Sequence, residues 1–147
     1  ENARAACASL AKPLVFTNGC FDILHRGHVD YLGSARQLGQ SLVVALNTDA
    51  SVQRLNKGSG RPLNTFEARA EVIASLRCVT LVTWFDQDTP IEIIKQINPQ
   101  FLVKGGDWPS DTIIGAEHVL ASGGEVHSIP FKHQVSTTGL IEKIRNE

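Results

Sequence analysis

The sequence has 147 residues, 42% of them hydrophobic and 20% charged, which is typical of a globular domain and excludes a disordered chain. Lys and Arg number 14 and Asp and Glu 15, for a formal net charge of -1, which excludes a polybasic surface for nucleic acid polymers or membranes. No apolar run approaches the roughly 18 residues of a membrane span, no signal-peptide pattern opens the chain, and the cysteines are unclustered. We expect a cytoplasmic protein with a single domain over residues 1–147, in which residues 1–12 form an N-terminal extension.

Apolar segments alternate with segments of helical periodicity along the chain. Strands are predicted at residues 13–18, 42–46, 79–84, 101–104 and 125–129. Helices are predicted at residues 26–38, 65–76, 90–97, 114–121 and 136–145, with Gly39 as the C-cap of the first. Residues 47–64 are predicted to form a loop, or an irregular helix followed by a loop. This alternation predicts an α/β fold with a five-stranded, mostly parallel sheet, helices on both faces, and ligands at the carboxyl ends of the strands.

The densest group of polar residues lies between the first predicted strand and the first predicted helix. It runs from Thr17 to His28 and reads TNGCFDILHRGH. Gly19 permits a close backbone approach at the strand end. His25 and His28 are three residues apart at the helix start, so both rings can lie on one side. Because a helix N-terminus offers free N–H groups and a partial positive charge, this segment favours phosphate oxygens, and Gly27 leaves room for a nucleotide.

The two histidines have other possible interpretations. A single His near a helix start is most often a surface or capping residue. A zinc site needs three or four ligands, and only Cys20 and Asp22 lie nearby on a turn that scatters them, so zinc is disfavoured. The sequence has no GxxxxGK[ST] phosphate loop and no GxGxxG turn after the first strand, which disfavours a P-loop NTPase or a dehydrogenase.

Two later segments also carry groups suited to a nucleotide. In residues 104–108, KGGDW, the glycines let backbone amides approach a ligand, Asp107 can accept from ribose hydroxyls and Trp108 can lie along a base. A polar turn with a packed Trp is the plain alternative. Residues 136–138 are three consecutive hydroxyl side chains, more than an N-cap needs. Ser136 is followed three residues later by Gly139 rather than Glu or Gln, so a capping box is absent.

Cations are supplied by the stretch after the second predicted strand. Arg54, Lys57 and Arg61 lie in a loop, and Arg69 follows in the next helix. A charged loop is usually just solvated, but Lys57 lies in a Gly/Ser stretch that can close over a triphosphate. We expect Lys57, Arg61, Arg69 and Lys104 to converge with the two histidines on one pocket.

The order of these residues resembles a known family. Thr17-x-Gly19-x-Phe21-Asp22-x-x-His25-x-Gly27-His28 resembles the signature of the HxGH nucleotidyltransferases, in particular their cytidylyltransferase-like branch. The resemblance spans residues 13–145 and implies a Rossmann-like nucleotidyltransferase fold. Within the branch, the chain is similar to the bacterial D-glycero-β-D-manno-heptose 1-phosphate adenylyltransferases, in the stretches FTNGCFDILHRGHVDYL, LNTDASVQRL, RPLNTFEAR, LVKGGDW and VSTTGLI.

The resemblance implies roles for individual residues. The catalytic residues are His25, His28 and Lys57. The nucleotide is bound by Thr17, Asn18, Gly19, Phe21, Gly27, Arg69, Lys104, Gly105, Asp107, Trp108, Ser136, Thr137 and Thr138. The sugar is bound by Asp22, Asn47 and Arg61. The glycerol-phosphate cytidylyltransferases carry an Arg five residues before the Ser, where this chain has Phe131, which argues against glycerol phosphate as substrate.

The implied reaction joins ATP and the heptose 1-phosphate to give ADP-heptose and pyrophosphate for the inner core of lipopolysaccharide. The attacking phosphate is already an anion, so positioning and charge stabilisation suffice. Mg²⁺ is expected as a cofactor bound mainly through the triphosphate. The resemblance also implies a homo-oligomer, a dimer, and a domain that stands alone rather than fused to a sugar kinase.

Two alternatives stay open. The first is another transferase of this class, which uses CTP with an alditol phosphate or ATP with phosphopantetheine. The second is a non-catalytic nucleotide-binding domain, against which the intact histidine pair and hydroxyl triplet argue. The choice of adenine over cytosine rests on the resemblance, because nothing in residues 105–108 distinguishes the two bases.

Overall fold

Five short strands form one sheet in the computed structural model, which describes residues 2–147. The strands are β1 Leu14–Gly19, β2 Ser41–Asn47, β3 Leu81–Phe85, β4 Phe101–Gly105 and β5 Glu125–Ile129. Their order is β3-β2-β1-β4-β5, and every neighbouring pair is parallel. Strands covered on both faces require near-continuous apolar sequence, and β2, SLVVALN, is buried along its whole length. The predicted parallel sheet is confirmed.

Helices cover both faces of this sheet, as predicted. They are α1 Ala3–Ala8, α2 Arg26–Arg36, α3 Asp49–Arg54, α4 Phe66–Ala74, α5 Ile91–Ile97, α6 Ala116–Ala121 and α7 Thr137–Arg145, with a 3₁₀ turn at Ser110–Thr112. Residues of α1, α5 and α6 pack into one core cluster against Phe16, and residues of α2 and α4 pack into another against Val15. Within residues 2–147, no helix has the length and apolarity that a membrane crossing requires.

The predicted N-terminal extension contains a helix that the periodicity did not indicate. Asn2 caps α1 by accepting a hydrogen bond from the amide of Arg4, and Ala3 and Cys7 are buried in the same core cluster as Ile94 of α5. A helix of six residues is unstable by itself. Packing on the sheet therefore stabilises α1.

Of the two forms predicted for residues 47–64, the structure has the helix followed by a loop: α3 begins after Thr48, whose side chain accepts from the amide of Ser51, and ends at Arg54. Two other predicted boundaries were wrong because of local backbone geometry. Gly39 does not cap α2, which ends at Arg36; a Cβ on Gly39 would lie 2.5 Å from the carbonyl oxygen of Pro13, so this glycine serves a close chain approach. Helix α6 begins after Gly115, whose φ of 89° is left-handed and interrupts any helix from residue 114.

Candidate active site

The largest group of polar side chains lies where the strand order reverses. The chain runs from β1 outward to β2 and β3, then crosses to β4 and β5 on the other side, and ligands of such sheets bind at this switch point. A cavity of about 390 Å³, here called the main pocket, opens there. It is lined by Asn18, Gly19, Cys20, Phe21, Asp22, His25, His28, Tyr31, Lys57, Arg61, Lys104, Gly105, Phe131, Val135, Ser136, Thr137 and Thr138.

The two histidines form a stacked pair at the start of α2. Their ring centroids are 3.8 Å apart with an interplanar angle of 18°, and the amide of His25 donates to Nδ1 of His28 at 3.4 Å. A Cβ on Gly27 would lie 3.0 Å from the His25 ring, so the glycine lets this ring lie against the helix. The prediction that both rings share one side of the helix is confirmed. Gly27 itself lies under the pair and does not line the main pocket.

Burial keeps both imidazoles neutral at physiological pH. It lowers the pKa of His25 below its usual value. It also lowers the pKa of His28 to about 4, together with the nearby charge of His25 and against the smaller raising effect of a hydrogen bond to the Ile23 carbonyl. A neutral imidazole has one N–H to donate, so each ring can offer a phosphate one hydrogen bond rather than permanent charge, and His28 would exchange its hydrogen bond to the Ile23 carbonyl for it.

Permanent positive charge comes from two lysines on the pocket wall. Burial lowers the pKa of Lys104, and the nearby charge of Lys57 lowers it further. The ammonium group of Lys57 donates to the thiol sulfur of Cys20 at 3.7 Å. Two cations that repel each other across a cavity are stabilised when an anion lies between them. The main pocket is therefore built to receive a polyanion.

Asp22 holds the loop that carries these cations. The side chain is buried, and its carboxylate accepts from Nε of Arg61 at 2.6 Å and from the backbone amides of Leu63 and Asn64 at 2.9 Å. Burial raises the pKa of Asp22, but these hydrogen bonds outweigh it and leave the pKa below its usual value. In this structure the oxygens of Asp22 bind the protein's own backbone and Arg61, and a contact of Asp22 with the sugar stays a prediction.

Two other predicted ligand contacts point away from the main pocket. Asn47 is buried, donates to Oγ of Ser51 at 3.0 Å and accepts from the thiol of Cys20. Arg69 is 2% exposed, and its guanidinium donates to the carbonyl of Cys20 at 2.8 Å and to Asp49 at 2.7 Å. A guanidinium has five N–H donors in a rigid fork, and this one clamps the β1–α2 turn to α3 and α4. Neither side chain reaches a ligand in the main pocket.

The predicted hydroxyl triplet lies at the start of α7, on the pocket wall. Ser136 is the N-cap, and its Oγ accepts from the amide of Gly139 at 3.0 Å. The hydroxyl of Thr137 donates to the carbonyl of Ile23 at 3.4 Å, which ties α7 to the β1–α2 turn. The hydroxyl group of Ser136 is thus used to cap the helix. The first-turn amides have no intrahelical carbonyl partner, as at any helix start, and Ser136, Thr137 and Thr138 all line the main pocket.

A second cavity of about 230 Å³ adjoins the main pocket. It is lined by Asn18, Pro90, Lys104, Trp108, Thr112, Ile113 and Ile114, so Asn18 and Lys104 belong to both cavities. Trp108 therefore lies beside the second cavity and not in the main pocket. Asp107 is exposed and lines neither cavity, and Thr17 is buried with its hydroxyl 2.5 Å from that of Tyr31.

Four residues of the main pocket were missed by the sequence analysis. They are Cys20, Tyr31, Phe131 and Val135. Tyr31 occupies an apolar position on α2, and only its hydroxyl could have indicated a second role. Phe131 and Val135 lie in the connection between β5 and α7, where no periodicity marks them. Among residues 2–147, no three His, Cys, Asp or Glu side chains are placed to hold a metal ion.

The arrangement of this pocket agrees with a comparison against known families. Residues 16–143 match the model of the family described as cytidylyltransferase-like. The chain belongs to the cytidylyltransferase-like family. The match includes the starts of α2 and α7 and all five strands except the first two residues of β1. The predicted family is therefore confirmed.

Several known proteins are similar to the chain over most of its length. It is 54% identical over 97% of its residues to the D-beta-D-heptose 1-phosphate adenylyltransferase of Bordetella bronchiseptica, of which it covers 88%. It is 55% identical over 88% of its residues to the bifunctional protein HldE of Marinomonas sp., but spans only 27% of that relative's length. The lipopolysaccharide core biosynthesis protein of Thermoplasma volcanium is 26% identical, with a TM-score of 0.65 over 83% of this chain and 98% of its own.

Proposed function

We propose that this protein transfers the adenylyl group of ATP to D-glycero-β-D-manno-heptose 1-phosphate, giving ADP-heptose and pyrophosphate for the inner core of lipopolysaccharide. The observation that carries the proposal is the 54% identity, over 97% of the chain, to a D-beta-D-heptose 1-phosphate adenylyltransferase. The stacked histidines, the two lysines and the start of α7 around one pocket supply the groups that such a transfer needs.

The reaction is a displacement at the α-phosphorus of ATP. A phosphate oxygen of the sugar 1-phosphate forms a bond to that phosphorus, and the bond from the phosphorus to the oxygen bridging to the β-phosphate breaks. The electron pair of this bond leaves with pyrophosphate. The nucleophile is already an anion, so no side chain has to remove a proton. Catalysis then depends on in-line positioning and on stabilising charge in the transition state.

Different residues around the main pocket bind different phosphate groups. The neutral imidazoles of His25 and His28 donate N–H groups to oxygens on the α-phosphate, where charge develops during transfer. Lys57 and the first turn of α7 hold the departing pyrophosphate. Lys104 lies at the junction of the two cavities, where it contacts both reacting phosphates and offsets their mutual repulsion.

The donor set suits Mg²⁺ carried by the nucleotide. Asp22, the one carboxylate on the pocket wall, is engaged by Arg61 and two backbone amides, so among the described residues the pocket offers no carboxylate cage. Mg²⁺ keeps several waters and commonly binds through substrate phosphates with few protein ligands. Bound in this way, it neutralises phosphate charge on ATP and pyrophosphate.

The second cavity is suited to the sugar of the acceptor. It shares Asn18 and Lys104 with the main pocket, so a phosphate held by Lys104 can belong to a molecule lying in either cavity. Its apolar wall, with Trp108 and Ile113, can contact the C–H face of a sugar ring, and Asn18 can bond a hydroxyl group. The acceptor phosphate can therefore reach the α-phosphorus from the second cavity, near Asn18 and Lys104.

Pyrophosphate release across pairs of substrates tests the proposal. ATP and CTP are each combined with the heptose 1-phosphate, glycerol 3-phosphate and phosphopantetheine. We expect release with ATP and the heptose 1-phosphate alone. Release with CTP and an alditol phosphate would assign the protein to another transferase of the family. Tight ATP binding with no release from any acceptor would indicate a nucleotide-binding domain without catalysis.

A further inference from the structure

Phe131 is an aromatic residue that lies open on the wall of the main pocket. Its side chain is 55% exposed, and it stands two residues after β5 and five residues before the N-cap of α7. Exposing a benzyl ring to water gives up the stabilisation that burial would provide. An exposed ring on a pocket wall is therefore better explained by a ligand that covers it than by packing.

One side of the Phe131 ring is held by the end of the sheet. A Cβ on Gly105 would lie 2.8 Å from Cζ of Phe131, so the ring lies directly over this glycine. Tyr31 meets the ring with its edge, at a centroid distance of 6.1 Å and an angle of 61°. The hydroxyl of Tyr31 in turn donates to the carbonyl of Val103 at 3.2 Å. The ring thus rests on β4 and α2, with its other face open.

The segment that carries Phe131 is tethered at two points on the C-terminal side of this residue. His133 pairs with Asp30 of α2, and the hydroxyl of Thr137 donates to the carbonyl of Ile23. These contacts set the ring at a fixed place relative to the histidine pair and the first turn of α7. A ligand whose phosphates lie at those groups has its nucleoside end free to reach toward β4 and Phe131.

We propose that Phe131 is the surface on which the base of the nucleotide stacks. The inference rests on the proposed use of ATP as donor. A purine is planar and apolar on its faces, and stacking on an aromatic side chain strengthens binding on the order of 10-fold or more per base. Stacking also explains why Gly105 precedes the turn, since any side chain there would displace the ring. An Arg at position 131 would instead place a charge where this protein presents an apolar face.

The test compares two ligands that differ only in having a nucleoside. Binding of ATP and of inorganic tripolyphosphate, each with Mg²⁺, is measured by calorimetry for the wild-type protein, Phe131→Ala and Phe131→Tyr. Trp84→Ala is the matched control, because Trp84 is equally exposed, at 55%, but lies on the edge strand β3 outside the main pocket. Thermal unfolding of each variant checks that the fold is retained.

We expect Phe131→Ala to weaken ATP binding on the order of 10-fold, with tripolyphosphate binding unchanged. Phe131→Tyr keeps the aromatic face and should bind ATP as the wild type does, and Trp84→Ala should change neither ligand. Equal weakening of ATP and tripolyphosphate would overturn the inference, since the residue would then only position the phosphate groups. Unchanged ATP binding in Phe131→Ala would overturn it as well. Absence of pyrophosphate release with the heptose 1-phosphate would contradict the proposed function alone, because the calorimetric comparison requires no turnover.

Discussion

Two helix starts meet at the main pocket, and they are built differently. Helix α2 begins with the stacked pair of His25 and His28 and buries Gly27, Tyr31, Leu32 and Ala35. Helix α7 begins with the cap of Ser136 and buries none of its residues. The groups on α2 are therefore fixed by packing before a ligand arrives, whereas those on α7 depend on a cap and a few tethers. We expect changes at α2 to act on turnover and changes at α7 to act on binding and local stability.

The largest expected effect is that of His28→Ala at the packed helix start. Removing one preorganised donor to developing charge costs on the order of 100-fold in turnover or more, while the fold should persist. Steady-state pyrophosphate release and circular dichroism measure the two quantities. His118→Ala is the control, since the side chain of this partly exposed histidine on α6 bonds only the side chain of Asn98. Turnover equal to that of the control would remove His28 from the mechanism.

The next effect is a loss of stability in Asp22→Asn. The carboxylate is buried with Arg61 and two backbone amides, and breaking a buried ion pair costs about 3 kcal/mol or more. Urea unfolding should show this loss, and the Michaelis constant for ATP should rise as the loop bearing Lys57 loosens. Asp111→Asn, at an exposed position, serves as control. If both variants unfold at the same urea concentration, Asp22 does not anchor the loop.

A smaller effect is expected at the exposed helix start. Ser136→Ala removes the N-cap of α7 and should cost about 1 kcal/mol of stability, with a modest rise in the Michaelis constant for ATP. Ser136→Asp separates capping from ligand binding, because Asp caps equally well but repels a triphosphate. We expect Ser136→Asp to regain stability while binding ATP more weakly than Ser136→Ala. Recovery of both properties would mean that the residue acts only as a cap.

The last effect concerns pH. The pKa of His28 is about 4 in the folded protein against the usual 6.5, so below pH 6.5 the unfolded chain binds a proton that the folded chain does not. Stability should therefore be unaffected by this group above pH 6.5 and should fall progressively between pH 6.5 and 4; burial of His25 acts in the same direction. Urea unfolding at pH 7.5 and 5 should show a smaller difference in His28→Ala than in the wild type. An equal difference in the two proteins would mean that groups other than His28 cause the loss of stability in acid.

The parts of the site that the sequence predicted are those set by local chain geometry. The strand-to-helix turn fixes the histidine pair, since residues three apart at a helix start share one side. The glycines at 19 and 105 indicated close approach, and their neighbours Phe21 and Phe131 occupy the space that a Cβ would need. The hydroxyl triplet lies on the pocket wall because α7 starts where β5 has returned the chain to the same edge.

The sequence analysis did not find the protein partners of two charged residues, because those partners are distant in sequence. Arg69 was expected at the nucleotide. Its guanidinium instead donates hydrogen bonds to Asp49 and to the Cys20 carbonyl, which are 20 and 49 residues away. Asp22 was expected at the sugar, but Leu63 and Asn64, 41 and 42 residues away, supply its donors. A signature shows that a charge is present and does not show whether a ligand or the protein itself neutralises it. Mg²⁺ binding, the dimer, the single-domain boundary and the cytoplasmic location stay predictions.

The near-neutral charge of the sequence excluded a polybasic surface for nucleic acid polymers or membranes, and the alternation of apolar strands with helices determined a parallel sheet with its site at the strand ends. These features follow from the chain itself, because hydrophobic period, turn residues and helix starts act over a few residues. Tertiary structure decided which charges remain available to a ligand. Lys57 and Lys104 face the main pocket, while Arg69 and Asp22 are satisfied inside the protein. A buried charge is costly unless another group pairs with it. Only the fold determines where that partner lies.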